Sequence, residues 1–195
     1  MLGKEENAEW YDGFFLKSLV HRMMPKEFDF FQVWKAGAQW VNDLDAKNVV
    51  DLGCGIGHFA SVLCALGWRG NFIGEDFSTV AIEHARSRGC ALGEFRVCDI
   101  RRSSRITADA VTAFEVLEHV EDDFAVLARI APSTPVCFSV PNMDLPGHVR
   151  YFKSSEEVAR RYAGVVSIDT ITQFEFVPSE VFWLAKGRKA DGNRP

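Results

Sequence analysis

Two stretches of this sequence carry residues whose types and spacing suit chemistry. The first is Val49-Val50-Asp51-Leu52-Gly53-Cys54-Gly55-Ile56-Gly57. Glycines at alternate positions allow a tight turn and let a ligand approach the backbone amides closely. Asp51, two residues ahead of the first glycine, repels a phosphate and suits a cationic group such as a sulfonium or an ammonium. His58 stands where a dinucleotide fingerprint has its third glycine, and no P-loop lysine follows, so nicotinamide and nucleoside-triphosphate sites are disfavoured. Asp76 lies 19 residues after Gly57. It can accept both hydroxyls of a ribose, or cap the helix that follows. Asp99, in Val97-Cys98-Asp99-Ile100, can meet an adenine amino group or serve as a turn aspartate. The loop itself can also be a turn without a ligand.

The second stretch is Glu115, Glu118 and His119, an E-x-x-E-H pattern. If residues 115–119 begin a helical turn, spacings of three and four bring these side chains to one side. Two carboxylates and an imidazole can bind Mg²⁺, Mn²⁺ or Fe²⁺. His148, in Pro146-Gly147-His148-Val149-Arg150-Tyr151, is a fourth candidate ligand. Without a metal, His119 or His148 can act as an acid–base or orienting group, with Glu118 contacting the acceptor, or all can be structural. His58 is read as a packing or solvent-facing residue.

The elements that must position these residues alternate. Strands are expected at 47–52, 71–75, 93–97, 109–114 and 135–140, with helices at 58–66, 80–88, 122–130 and 156–162 between and after them. Ser154 with Glu157 gives the last helix a capping-box start. This order predicts an α/β fold, a Rossmann-like doubly wound sheet with helices on both faces. Residues 165–176 and 181–188, joined without room for a helix, predict an antiparallel hairpin at one side of the sheet. Two helices precede the first strand. One is expected over Glu5 to Met23, stopped by Pro25, and one over Phe30 to Leu44 with Phe31, Trp34, Ala38 and Val41 on one face. Residues 1–45 form an N-terminal helical part. Trp10, Tyr11, Phe14 and Phe15 are either a lid over the site or a helix packed on the sheet. Residues 46–188 form the main domain, and 189–195 a polar tail expected to fray.

Composition bounds the function. The chain has 195 residues, with 22 Lys plus Arg against 27 Asp plus Glu, a net charge of −5. That balance disfavours binding along a nucleic-acid backbone. The basic run Arg96, Arg101, Arg102 and Arg105 is interrupted by Asp99 and reads as a solvated loop rather than a nucleic-acid footprint. The five cysteines are scattered and never form CxxC, which fits neither a disulfide framework nor a zinc site and suits a reducing, cytoplasmic compartment. No secretory signal or membrane-spanning run is read.

In this order the motifs resemble those of the class I S-adenosylmethionine-dependent methyltransferases. The resemblance covers roughly residues 45–188. It rests on VVDLGCGIG, on GEDFSTVAIEHAR around Asp76, on residues 98–99, on AFEVLEHVED (Ala113–Asp122) and on SVPN (Ser139–Asn142). It implies a seven-stranded sheet whose last strand is antiparallel, and S-adenosyl-L-methionine as cofactor. By resemblance, Asp51, Gly53, Cys54, Gly55 and Gly57 surround the methionine part, with Cys54 not a nucleophile. Asp76 holds the ribose, and Asp99 with Ile100 the adenine. Phe77 covers an adenine face, and Phe114 or Glu115 lines the methyl-donor end. The E-x-x-E-H pattern, with His148 29 residues after His119, resembles two branches. One methylates terminal RNA 2'-hydroxyls and the other catechol hydroxyls of quinone precursors, and both are thought to use a divalent ion. Val120 departs from the RNA branch, which has a second histidine there, and no extra RNA-binding domain is read. The resulting expectation is methyl transfer to a small-molecule acceptor, with a hydroxyl oxygen preferred, by a monomer or homodimer. Its metal ligands would be Glu115, Glu118, His119 and His148, its catalytic residues Glu118, His119 and His148. The competing readings are an N-methyltransferase, an RNA or protein methyltransferase, and a non-catalytic binding module on the same fold.

Overall fold

The computed structural model describes residues 3–18, 23–88, 93–102 and 104–191. Its centre is one seven-stranded sheet. The strands are β1 (Asn48–Leu52), β2 (Asn71–Asp76), β3 (Gly93–Val97), β4 (Ala110–Phe114), β5 (Pro135–Pro141), β6 (Val166–Val177) and β7 (Glu180–Lys189). Their order is β3-β2-β1-β4-β5-β7-β6. The first five pair in parallel, and β7 runs antiparallel between β5 and β6. The expected sheet and terminal hairpin are therefore present, and the tail's Lys189 is the last residue of β7, buried rather than frayed.

Alternation along each central strand sends side chains to two cores. Val50, Val111, Val136 and Phe138 face one core, together with Leu127 and Tyr162. Val49, Ala110, Phe114 and Cys137 face the other, with Val33, Phe59 and Ile82. The helices that supply these partners are α2 (Phe31–Asp43), α3 (His58–Ala65), α4 (Thr79–Ser87), α5 (Asp123–Ala128) and α6 (Ser155–Tyr162). Ser154 caps α6 by accepting from the Glu157 N–H at 3.4 Å. The Glu157 carboxylate turns to the Lys153 N–H at 2.7 Å, one residue away from the reciprocal capping-box bond.

The N-terminal part differs from expectation. α1 spans Ala8–Lys17, shorter than the expected Glu5–Met23. Asn7 caps its start, and the extended backbone of Ser18 ends it. Pro25 opens a 3-10 turn, Pro25–Glu27, instead of terminating a helix, because its fixed φ suits a first helical position. Leu19, expected on the α1 face, lies outside the described residues. The buried face of α2 is Val33, Gly37, Ala38 and Val41 rather than Phe31, Trp34, Ala38 and Val41. Gly37 turns that face inward because the Phe114 ring occupies its side-chain space: a Cβ there would lie 2.5 Å from Phe114 Cζ.

Candidate functional site

Strand order reverses between β1 and β4, and ligands of open α/β sheets bind at such a point, outside the carboxyl ends of the strands. A cavity of about 580 Å³ lies there. The loop after β1 forms its floor. Gly53, Gly55 and Gly57 have φ of 64°, 51° and 79°, a region that disfavours any side chain. A Cβ on Gly53 would also lie 2.4 Å from Val116.

Two buried carboxylates sit beneath this loop. Asp76 ties it to the end of β2: its two oxygens accept from the N–H groups of Gly55 and Ser78, each at 2.9 Å. The cap of α4 is Ser78, not Asp76. Asp51 accepts from the Thr112 hydroxyl at 2.6 Å. Burial pushes Asp51 up to about 7 and Asp76 up to about 6, against which their hydrogen bonds act. Both are thus carboxylates that a cationic ligand would hold ionised. Cys54 lines the same cavity, and burial raises its thiol well above the ordinary range. It is a protonated packing residue.

Phe77, Asp99, Ile100, Phe114 and Glu115 also line the cavity. Phe114 packs on Phe59 with ring centres 4.5 Å apart. Asp99 does not stand free: Arg101 Nε and Nη2 bind its two oxygens at 2.7 Å each. Arg101 also pairs with Glu5, whose other oxygen accepts from the Glu121 N–H at 2.7 Å. Arg101 read as a solvated residue in the sequence, and only the fold brings Glu5 to it.

Of the E-x-x-E-H residues, Glu115 and His119 line the cavity, whereas Glu118 and the later His148 are not part of its lining. Ligand atoms of Glu118, His119 and His148 lie within 4.8 Å of one another. Glu118 is fully buried, and neither of its oxygens has a hydrogen-bond partner. Burial and the neighbouring Glu115 raise its carboxyl well above the ordinary range. Glu115, the fourth residue of the expected set, neighbours Glu118, though it is not one of the three residues whose ligand atoms lie within 4.8 Å of one another. Its backbone is left-handed, with φ of 54°, and Ser139 Oγ both accepts from its N–H at 3.0 Å and donates to its carboxylate at 2.8 Å. Such a hydroxyl leaves no pattern in the sequence. Burial lowers His119 to about 4 and, less far, His148, so both imidazoles are neutral at pH 7. His58 is a packing residue, held between Phe28 and Trp34 and bonded to the Met23 carbonyl at 3.3 Å.

α1 lies across the cavity. None of its residues is buried, yet Tyr11, Phe14 and Phe15 line the cavity. Phe28, Phe30, Trp34 and Phe182 extend the lining into an aromatic wall. α2 contributes Trp34 to this wall while its other face stays in the core.

The family model described as "Methyltransferase domain" matches residues 15–177. The chain belongs to this methyltransferase family. The methyltransferase is 27% identical over 168 residues to a ubiquinone biosynthesis O-methyltransferase of Actinobacillus pleuropneumoniae, covering 78% of this chain and 68% of the relative. A second enzyme of that description, from Rhodopseudomonas palustris, is 29% identical over 137 residues, covering 66% of this chain. The methyltransferase spans about half of that relative's length, 53%. Its fold is similar to that of the N-methyltransferase NodS from Bradyrhizobium japonicum in complex with S-adenosyl-L-homocysteine. The TM-score is 0.71 at 19% identity, covering 94% of this chain and 99% of that one. The shared architecture is the class I S-adenosylmethionine-dependent methyltransferase fold. Among the described residues, no helix is long and apolar enough to cross a membrane.

Proposed function

We propose that this methyltransferase moves the methyl group of S-adenosyl-L-methionine to a hydroxyl oxygen of a small-molecule acceptor. The observation that carries this reading is one cavity lined by the buried carboxyls Asp51 and Asp76 and by His119, whose imidazole adjoins buried Glu118 and His148 just outside the lining. The donor's sulfonium supplies an already activated methyl group. The cradle fits it: the three positive-φ glycines leave the backbone bare, and Asp51 and Asp76 need a cation or a proton in that space. Asp51 serves the cationic end, Asp76 the ribose, and Ile100 and Phe77 the adenine. Asp99 reaches the adenine side together with Arg101.

A neutral imidazole can take the proton of an acceptor hydroxyl, which methyl transfer to oxygen requires and transfer to an uncharged amine does not. His119 and His148 are such groups, and the aromatic wall with α1 excludes water from them. Glu118, His119 and His148 also fit a divalent cation, because the two buried oxygens of Glu118 otherwise lack partners. A cation there would lower the pKa of an acceptor hydroxyl. Glu115, whose Oε1 alone is taken by Ser139, neighbours this set with its second oxygen.

Calorimetric titration with S-adenosylhomocysteine, followed by an acceptor panel of matched phenols, alcohols and amines, tests the reading. One-to-one binding and methylation of hydroxyls support it. Methylation of amines only would transfer the protein to the N-methyltransferase class, and cofactor binding without turnover would favour the binding-module reading. Chelation of divalent ions should reduce turnover at least about tenfold, with recovery on adding Mg²⁺ or Mn²⁺. Turnover unchanged by chelation removes the metal and leaves the histidines as the proton acceptors.

A further inference from the structure

Nδ1 of His119 lies 2.8 Å from the Tyr11 hydroxyl and 3.0 Å from the Gly147 carbonyl oxygen. A carbonyl only accepts, so the Gly147 contact requires a hydrogen on Nδ1. Tyr11 Oη accepts a second share of the same hydrogen, and the phenol keeps its own hydrogen for the cavity it lines. The lone pair of the neutral ring is then on Nε2, the nitrogen that faces Glu118 Oε1 at 3.8 Å. Only that tautomer lets Nε2 take a proton or hold a cation. His148 has the corresponding arrangement, with its Nδ1 3.0 Å from the Met143 carbonyl. The two differ in who supplies the contacts. His148 is set by its own loop, whereas His119 takes one contact from a residue 108 positions away on α1.

α1 is held to the body largely by polar contacts. Asp12 accepts from the Ser78 hydroxyl at 2.5 Å and the Val80 N–H at 3.2 Å, and the Gly3 N–H donates to the His148 carbonyl at 2.9 Å. Glu5 adds the pairing with Arg101. None of the α1 residues is buried, so beyond the packing of Tyr11 on Phe77 and His119 little apolar burial adds to these anchors.

We infer that Tyr11 is a positioning residue for His119: α1, docked over the cavity, brings the hydroxyl that steadies the imidazole whose Nδ1–H the Gly147 carbonyl fixes, leaving Nε2 free to work. The catalytic consequence rests on the methyltransferase reading above; the tautomer itself does not. Loading of donor and acceptor with α1 lifted would meet a less defined imidazole, and closure would complete the site.

Long-range proton–nitrogen NMR on the metal-stripped, full-length protein reads the His119 tautomer directly. The wild type should show the Nδ1–H form. Tyr11→Phe, which keeps the ring and loses the oxygen, should keep the Nδ1–H form held by Gly147 and move the His119 Nδ1 resonance, because one of the two partners of that nitrogen is gone. Asp12→Ala, which removes an α1 anchor far along the chain from His119, should shift it the same way. With an acceptor the wild type turns over, Tyr11→Phe should lower kcat about tenfold, while S-adenosylhomocysteine binding stays within about twofold. His119 nitrogen shifts unchanged in Tyr11→Phe overturn the inference, whatever the activity. Loss of cofactor binding or of all turnover in the wild type counts against the methyltransferase reading instead, and the NMR comparison still decides the role of Tyr11.

Discussion

Asp51 shows what a buried carboxyl costs the folded chain. Its carboxyl is buried, bonded to Thr112, and shifted up from 3.8 to about 7. Asp76 moves in the same direction, to about 6. Both therefore hold protons in the native state that the unfolded chain has released, across the window from about 4 to about 7. Their contribution to stability is greatest at the acid end of that window and falls as the pH rises through it. Asp51→Asn keeps an acceptor for Thr112 and removes the charge. It should raise the melting temperature of the ligand-free protein at about pH 8 by about 3–8 °C. The same change should weaken S-adenosylmethionine binding at least about tenfold, since loss of one buried charge partner costs more than 1.4 kcal/mol. A lower melting temperature at that pH, or unchanged donor affinity, would contradict the assignment of Asp51 to a cationic group.

At the scale of elements, the site depends on how α2 meets the sheet. Gly37 faces Phe114, and a Cβ there would lie 2.5 Å from Cζ and 2.9 Å from Cε1 of the ring. Phe114 cannot swing freely, because Phe59 packs on it and it is buried at the cavity wall. Gly37→Ala gains about 1 kcal/mol of helix propensity and meets an overpacking penalty of about 1–3 kcal/mol. The expected net result is a melting temperature lower by about 2–6 °C and weaker cofactor binding through a displaced Phe114, read by thermal melts with and without S-adenosylhomocysteine. A more stable variant would mean that the ring yields easily and that Gly37 is not needed for the packing. The hydrophobic pattern located α2 but not its inward face, because Phe31 and Trp34 are large apolar side chains and Gly37 has none. Close packing against a ring, rather than apolarity, chose the face.

At the scale of the molecule, α5 and α6 close one side of the sheet through a single buried carboxylate. Asp123 is fully buried and accepts from Arg161 Nε and Nη2 at 2.8 and 2.6 Å and from the Tyr162 hydroxyl at 2.9 Å, with Arg150 at 3.4 Å. Arg161 also stacks on Phe124, 4.6 Å from the ring centre. Removing one partner of such a buried pair costs about 3–5 kcal/mol. Asp123→Ala should therefore lower the melting temperature by about 6–15 °C. S-adenosylhomocysteine affinity of the fraction still folded should stay close to wild type, because Asp123 does not line the cavity. A small thermal effect would show that solvent replaces the carboxylate without loss.

The sequence by itself determined the order of strands and helices, since alternation and glycine turns are local signals that short segments carry independently. It also determined the glycine loop and the acids at 51, 76 and 99, because these sit at fixed offsets from strand ends. The tertiary structure alone decided which side chains meet across the cavity. It bonded Glu115 to Ser139, put Glu5 on Arg101, and brought Tyr11 to His119. Each of these contacts joins residues whose separation along the chain carries no period, and their geometry is set by strand order and helix packing rather than by spacing.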